Sequence, residues 1–458
     1  MVVVSFVVAL AVGLAGVWRP GLWEDEAATW SAATRSMGQL MELVERKDMV
    51  LMPYYAIVHY WSVVSTSEWW LRMPSVLAAA GAAGLTAALG RRLYSARAGL
   101  LAGLVLAIIP AFSRYAQEAR PYALVMLFAV LSSWLLLVAL DTGGAARWAL
   151  YSLSLVGLGF LHLLALLLVL AHGAEVAART RREGARGALG PWLVAGVAAA
   201  TPLAWLAWHA RQQQAALPWE TPGWKELQGL LPDVLGASAL AFVLFGMVLV
   251  GLRARHLSPL VLWWLLAPAA VLLLVSQFLP LYNPRYLVLC VPALALLVGA
   301  ALAEIHPRLV GMVVAVLALL AAPTQILLRE PDGHSQDYRT AVSAMRDPAA
   351  AVIFGTTWMR PGFYYYWRDG RNHSNDALLA KPLAESPWFG GSEIRPQQFA
   401  AKFGRFNHVW FVRKGHPADD FAGLTGPDRQ KAKVLRRTFR QVRRIQVRGL
   451  TLSLYERR

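Results

Sequence analysis

The chain has a single cysteine, Cys290, and it lies inside an apolar run. One thiol closes no disulfide within the chain and excludes a cysteine-based metal site. No other residues are spaced as zinc or copper ligands, and there is no Asp-x-Asp. A metal is therefore not indicated, and no cofactor is expected. A glycine-rich phosphate loop, a dinucleotide fingerprint and Gly-x-Ser-x-Gly are all missing, which argues against a nucleotide-linked substrate. Internal repeats and low-complexity tracts are absent as well. Charge is scarce: Asp, Glu, Lys and Arg make up 16% of 458 residues, and they nearly vanish inside the apolar runs.

What fills the space is hydrophobic. Apolar and aromatic residues are 57% of the chain, and the mean hydropathy is +0.45. A soluble domain of this length does not have that composition, whereas a multi-span membrane protein does. The net charge of +17 would suggest nucleic acid on a soluble protein. Here much of the arginine stands in short loops between apolar runs, which fits membrane topology and anionic headgroups, and no nucleic-acid partner is expected. The first apolar run, residues 2–17, lacks a basic leader and a convincing small-x-small cleavage site, so it reads as a retained helix.

Further apolar runs follow at 74–90, 99–111, 121–140, 148–178, 192–209, 234–252, 259–276, 287–304 and 309–328. The run at 148–178 is too long for one helix. Two short helices meeting near His162 place Arg179, Arg181, Arg182 and Arg186 on the side of Arg91 and Arg92, as the positive-inside rule favours. This predicts about eleven spans, with the N-terminus inside. Residues 27–47 read as one helix-like stretch. Residues 50–66 are apolar but short: some 16 residues at ~1.5 Å each reach ~25 Å, below the ~30 Å of hydrocarbon. They carry Pro53, and Tyr55, His59, Ser62 and Thr66 share one helical face, which suits a helix lying in the interface. Residues 113–120 read as a polar turn, and 211–233 as a loop.

From about residue 330 Asp, Asn, Gly and Pro return and apolar runs shorten to strand length. Residues 350–355 and 408–412 read as buried strands, and 448–455 alternates like an edge strand. Helical stretches fall at 338–345 and 362–367. The basic segment from Lys431 reads as a strand with solvated charges. The division is thus a membrane domain, 1–328, with a first outer loop at 18–72, and a small α/β domain, 329–458, outside the membrane.

The candidates for chemistry stand on the predicted outer face. Trp23-Glu24-Asp25-Glu26-Ala27 puts three acids where a membrane helix has just ended. A partly buried carboxylate there can take the proton of an attacking hydroxyl, with Asp25 and Glu26 as the candidates. The same pattern equally suits an ordinary acidic helix N-terminus. Arg114, Arg120 and Arg285, and less directly Arg72 and Arg211, can hold a lipid phosphate with a planar fork of donors. Each also suits headgroup anchoring. Arg285 stands between Pro284 and Tyr286 in a short loop, which favours a site. Glu118 can bind substrate or pair with a neighbouring arginine. Tyr55, His59 and Tyr286 are candidates for substrate contact, and His162 is a weaker one.

These residues occur in an order that resembles a known family. After the acidic cluster come Met-Pro-Tyr-Tyr-Ala-Ile-Val-His-Tyr-Trp at 52–61, Leu-Arg-Met-Pro-Ser at 71–75 and Gly-Arg-Arg-Leu-Tyr at 90–94. Tyr-Ala-Gln-Glu-Ala-Arg-Pro-Tyr-Ala-Leu at 115–124 and Asn-Pro-Arg-Tyr-Leu at 283–287 follow. Over roughly residues 1–330 this resembles the bacterial GT-C glycosyltransferases of the family 39 type, the superfamily of protein O-mannosyltransferases and lipid A aminoarabinose transferases. The resemblance implies a polytopic α-helical GT-C fold in the cytoplasmic membrane and an inverting transfer on its outer face. The donor would be a polyprenyl-phosphate sugar, mannose by default. The acceptor would be a hydroxyl on a protein, a glycolipid or a wall glycan. It also implies Asp25 as the catalytic aspartate, Glu26 as its companion and Arg285 near the donor phosphate. The alternative is a transporter or flippase for lipid-linked sugars, or an envelope-assembly scaffold. A transporter calls for intramembrane charges along a path and related halves, and neither is evident.

Overall fold

A computed structural model describes residues 1–183, 187–213, 221–252, 257–345, 350–367 and 376–458. Arg186, Arg253, Arg255 and the centre of the 211–233 loop lie outside these. The chain packs as two compact units. One comprises Met1–Val17, Met49–Tyr54 and Arg72–Leu328; the other comprises Trp18–Asp48, Tyr55–Leu71 and Arg329–Arg458. The first loop, grouped by the sequence with the membrane domain, therefore clusters mostly with the C-terminal residues.

The first unit is helical. Among the described residues, six helices are long and apolar enough to cross a membrane: Glu68–Leu93, Tyr122–Thr142, Leu163–Arg182, Leu189–Gln213, Pro284–Glu304 and Pro307–Leu327. Two bent pairs add to these, Ala96–Ile108 with Pro110–Ala116 at 68° and Trp224–Leu235 with Ser238–Gly251 at 92°. Val2–Leu14, Ala145–Leu161 and Pro259–Val275 are shorter apolar helices. Val197, Trp208, Met312, Leu319 and Ile326 are exposed, as a lipid-facing surface requires, and the chain is a membrane protein.

The bends have local causes. Pro110 has no N–H to give and starts the second helix of its pair. Gly236 takes φ +80°, ending its helix in the left-handed conformation. Helix Val291–Glu304 is buried along nearly its whole length, and close approach needs small residues. A Cβ on Gly299 would sit 2.6 Å from the Ala98 carbonyl oxygen and 2.7 Å from the Ala102 nitrogen. The long run at 148–178 is indeed broken at His162, whose extended backbone separates Ala145–Leu161 from Leu168–Glu183. The interior is less bare of polar groups than the sequence reads. Glu175 accepts from the Arg179 Nε (3.0 Å) and the Leu260 N–H (3.2 Å). His172 is held between Ser133 and Tyr151.

The second unit holds a four-stranded sheet. Strands β1 (Ala351–Phe354), β4 (His408–Lys414), β5 (Phe439–Val447) and β6 (Leu450–Arg457) run in the order β1-β4-β6-β5, and β2 (Leu379–Lys381) pairs with β3 (Ser392–Glu393) separately. Only β1 and β4 are parallel; β6 is antiparallel to both neighbours. Val352, Phe354, Trp410 and Val412 pack on one face, with Tyr338 and Phe363. Ala351, Ile353, Val409 and Phe411 pack on the other, with Phe399, Phe403 and Leu435. Both faces are covered, which is why these strands are continuous apolar runs.

Several boundaries differ from the sequence reading, among them the basic segment from Lys431, which begins in helix Gly426–Thr438 and becomes a strand only at Phe439. Residues 27–47 form two helices, Glu24–Ala33 and Met37–Arg46. The second is started by Ser36, which accepts from the Gln39 N–H while the Gln39 side chain accepts from the Ser36 N–H. The first half of the 113–120 turn belongs to helix Pro110–Ala116. Helix Trp224–Leu235 occupies the end of the expected 211–233 loop. Residues 448–455 are not an edge: β6 is paired on both sides, and β5 from the basic segment is the edge. The polar residues in the β6 alternation are buried and bonded rather than solvated. Thr451 donates to the Gly415 carbonyl at 2.7 Å, and Ser453 accepts from Gln441 at 3.2 Å.

Candidate functional site

The acidic cluster opens helix Glu24–Ala33 in the second unit. Its three carboxylates occupy the first turn, where unsatisfied N–H groups and the helix dipole favour negative charge. Their surroundings differ. Glu26 is fully buried, while Glu24 and Asp25 are half-buried. The Glu26 Oε2 faces the Nδ1 of His334 at 3.4 Å, and His334 is itself buried. Glu24 forms an ion pair with Lys414. Its N–H donates to the Gln336 Oε1 at 3.2 Å, and the Gln336 Nε2 reaches its carboxylate at 3.5 Å. Tyr338 is fully buried, and burial pushes its hydroxyl pKa well up, with the charges of Glu24 and Asp25 adding to the shift.

The rest of the loop is stapled to C-terminal residues of the same unit. The Arg35 guanidinium donates to the carbonyls of Ser386 (2.6 Å) and Trp388 (3.1 Å). Arg339 pairs with Glu68 at 2.6 Å. The Tyr366 hydroxyl donates to Glu68 and accepts from the Leu22 N–H. Gly21 N–H donates to the Pro331 carbonyl. Tyr55 donates to Asp48 at 3.2 Å and lies edge-on to Phe389. The His59 Nδ1 contacts the Ala33 carbonyl at 2.9 Å, at the far end of the acidic helix. Both residues therefore brace the loop.

The expected arginines gather in the first unit. Arg114 lies on helix Pro110–Ala116 and pairs through its Nε with Glu118 at 3.3 Å. Arg120 is nearly buried in the turn before helix Tyr122–Thr142, and its carbonyl accepts from Ser75. Gln117 fixes that turn by donating to the carbonyls of Gly13 (2.9 Å) and Ala15 (2.7 Å). Arg285 opens the 3-10 helix Pro284–Cys290, which Asn283 starts by accepting from the Arg285 N–H. The Tyr115 hydroxyl lies within electrostatic range of Glu118, Arg285 and Arg114. Tyr286 packs on His162 with ring centroids 4.6 Å apart, and Tyr122 lies 6.4 Å from the same ring. His162, which the sequence ranks low, is thus in the cluster. Its Nδ1 is buried with no hydrogen-bond partner among the described residues. Arg72 is wholly buried and donates to the Val17 carbonyl at 2.8 Å. Arg211 is exposed on its helix.

Three guanidinium groups, one carboxylate, a histidine and three tyrosines form a setting that can hold an anionic group such as phosphate. Among the described residues no three His, Cys, Asp or Glu side chains converge as metal ligands.

The architecture is a GT-C fold, similar to that of ArnT. Residues 48–208 match the family model for dolichyl-phosphate-mannose-protein mannosyltransferase, a stretch that includes Arg114 and Arg120 but not Asp25 or Arg285. ArnT from Cupriavidus metallidurans bound to undecaprenyl phosphate is similar over 99% of this chain and 97% of its own, with a TM-score of 0.62 and 14% identity. Its apo state is similar over the same shares, with a TM-score of 0.63 and 15% identity. At such identities the likeness establishes the fold. No curated protein matches the sequence.

Proposed function

We propose that the protein is an inverting glycosyltransferase that moves a sugar from a polyprenyl-phosphate donor to a hydroxyl acceptor on the outer face of the cytoplasmic membrane. The observation that carries this reading is the gathering of Arg114, Arg120 and Arg285 with Tyr286 and His162 in a GT-C fold. The similar ArnT binds undecaprenyl phosphate, and the same class of donor is assigned here. Asp25 takes the proton of the acceptor hydroxyl. The acceptor oxygen attacks C1 of the sugar from the face opposite the phosphate, and the C1–O bond breaks with its electron pair leaving on the phosphate oxygen. The arginines stabilise that charge as it develops. Mannose is the default sugar, with pentoses as the other class.

The test is turnover of labelled polyprenyl-phosphate sugars by purified protein in lipid, wild type beside Asp25→Asn, with a crude envelope extract as acceptor. Wild type consumes one donor of the panel, and Asp25→Asn loses at least ~100-fold in kcat while still binding polyprenyl phosphate. Near-normal turnover by Asp25→Asn removes the base assignment. No turnover of any donor by folded wild type moves the reading to transport or scaffolding. A parallel series with chelator decides whether a divalent ion takes part.

A further inference from the structure

We infer that the C-terminal region holds the acidic turn in a clamp in which His334 positions Glu26. The inference rests on the glycosyltransfer reading above.

Three consecutive acids in one helical turn repel one another, and their side chains leave the helix in different directions. Two of them, Glu24 and Glu26, have neighbours from the stretch 333–338 or from β4. His334 faces Glu26, Gln336 brackets Glu24 from both its N–H and its carboxylate, and Lys414 pairs with Glu24. Tyr338 adds a buried hydroxyl within electrostatic range of Glu24 and Asp25. Residues 334, 336 and 338 are every second residue of one short segment, and that segment is tied down in turn by the Asp337 N–H donating to the Arg448 carbonyl at 3.0 Å.

The clamp acts on the acids that flank Asp25. Glu26 is fully buried. A buried carboxylate persists only with partners that compensate its lost hydration. Fixing Glu26 and Glu24 fixes the rotation of the first turn, and with it the direction in which Asp25 projects. A base that must meet one hydroxyl depends on that direction. His334 is a positioning residue: it acts through Glu26 and touches no substrate.

The experiment is steady-state kinetics of the full chain in lipid, with wild type, His334→Ala, His334→Asn, Lys414→Met, Glu26→Gln and the double variant Glu26→Gln/His334→Ala. Asparagine can place an amide donor near the position of Nδ1. His334→Ala is expected to lower kcat about ten- to hundred-fold, the range of a hydrogen bond to a charged group, with the donor KM nearly unchanged. His334→Asn recovers most of that loss. In a Glu26→Gln background, His334→Ala adds little further loss, as coupled residues require. A merely structural staple gives a different pattern: lower yield of folded protein, Asn no better than Ala, and losses that add. That pattern, or a wild-type kcat for His334→Ala, overturns the inference. If His334→Ala does not fold, Lys414→Met carries the test. Lys414 is 53% exposed, and an unchanged kcat in that variant overturns the clamp. Failure of the wild type to turn over any donor is a separate outcome and counts against the glycosyltransfer reading itself.

Discussion

At the scale of single residues, the arginine cluster makes the sharpest demands. Arg285 carries a planar fork, and lysine in its place keeps the charge but loses two-point contact with a phosphate. Arg285→Lys is expected to weaken binding of polyprenyl phosphate about ten-fold and Arg285→Ala about hundred-fold, read by titration of the lipid into purified protein. Equal affinity in all three proteins removes Arg285 from the site. His162 offers a buried nitrogen beside Tyr286. His162→Phe preserves the packing and removes that nitrogen, and it is expected to raise the donor KM several-fold with little change in melting temperature. The residues that face the acidic turn show where sequence reading stops. Asp25, Arg114, Arg120 and Arg285 draw notice in the sequence because each stands in a short polar stretch at the end of an apolar run. His334 meets Glu26 across 308 residues of sequence, and nothing local to His334, Gln336 or Lys414 announces a partner. The demotion of His162 has the same origin, since its neighbours Tyr286 and Tyr122 come from other elements.

At the scale of elements, hydrophobic period and length recover the apolar helices and the buried strands β1 and β4. What they miss is set by short polar signals. Ser36 and Gln39 are a capping box in plain sight, yet the helical pattern runs through them. The β6 alternation imitates an edge strand because Thr451 and Ser453 are polar, whereas burial with hydrogen bonds is an equally good solution for a hydroxyl. The helical elements depend on close approach. Gly299 admits the backbone of Ala96–Ile108 where a Cβ would collide with Ala98 and Ala102. Both contacts involve backbone atoms, so a side chain cannot be accommodated by a rotamer change. Gly299→Val is expected to destabilise the first unit by about 1–3 kcal/mol, seen as a lower melting temperature in detergent. A variant that melts with the wild type shows that this helix pair can separate without cost.

For the whole molecule, the sequence draws a boundary near residue 328, and the chain does change character there. It does not tell that 18–48 and 55–71 cluster with 329–458, because the staples are pairwise and distant: Arg35 with Ser386 and Trp388, Glu68 with Arg339 and Tyr366. The second unit that results is rich in buried tyrosines. Burial raises the hydroxyl pKa of Tyr338, Tyr364, Tyr366 and Tyr455, and nearby carboxylates add to it: Glu24 and Asp25, Asp376, Glu68 and Asp420 respectively. The ordinary value is 10.0, so above that pH the unfolded chain releases protons that the folded unit keeps. Stability held below pH ~10 therefore falls as pH rises toward the folded-state values. The expected result is alkaline unfolding of the second unit in which tyrosinate absorbance and loss of tertiary circular dichroism rise together. Tyr366→Phe removes one such proton. It also removes the hydrogen bonds to Glu68 and Leu22, costing on the order of 1 kcal/mol each at neutral pH. Its melting temperature should start lower and fall less steeply above pH 10. Tyrosinate that appears gradually while the fold stays intact would mean that these hydroxyls reach water in the folded protein, and the loop would then be held by its arginine staples alone.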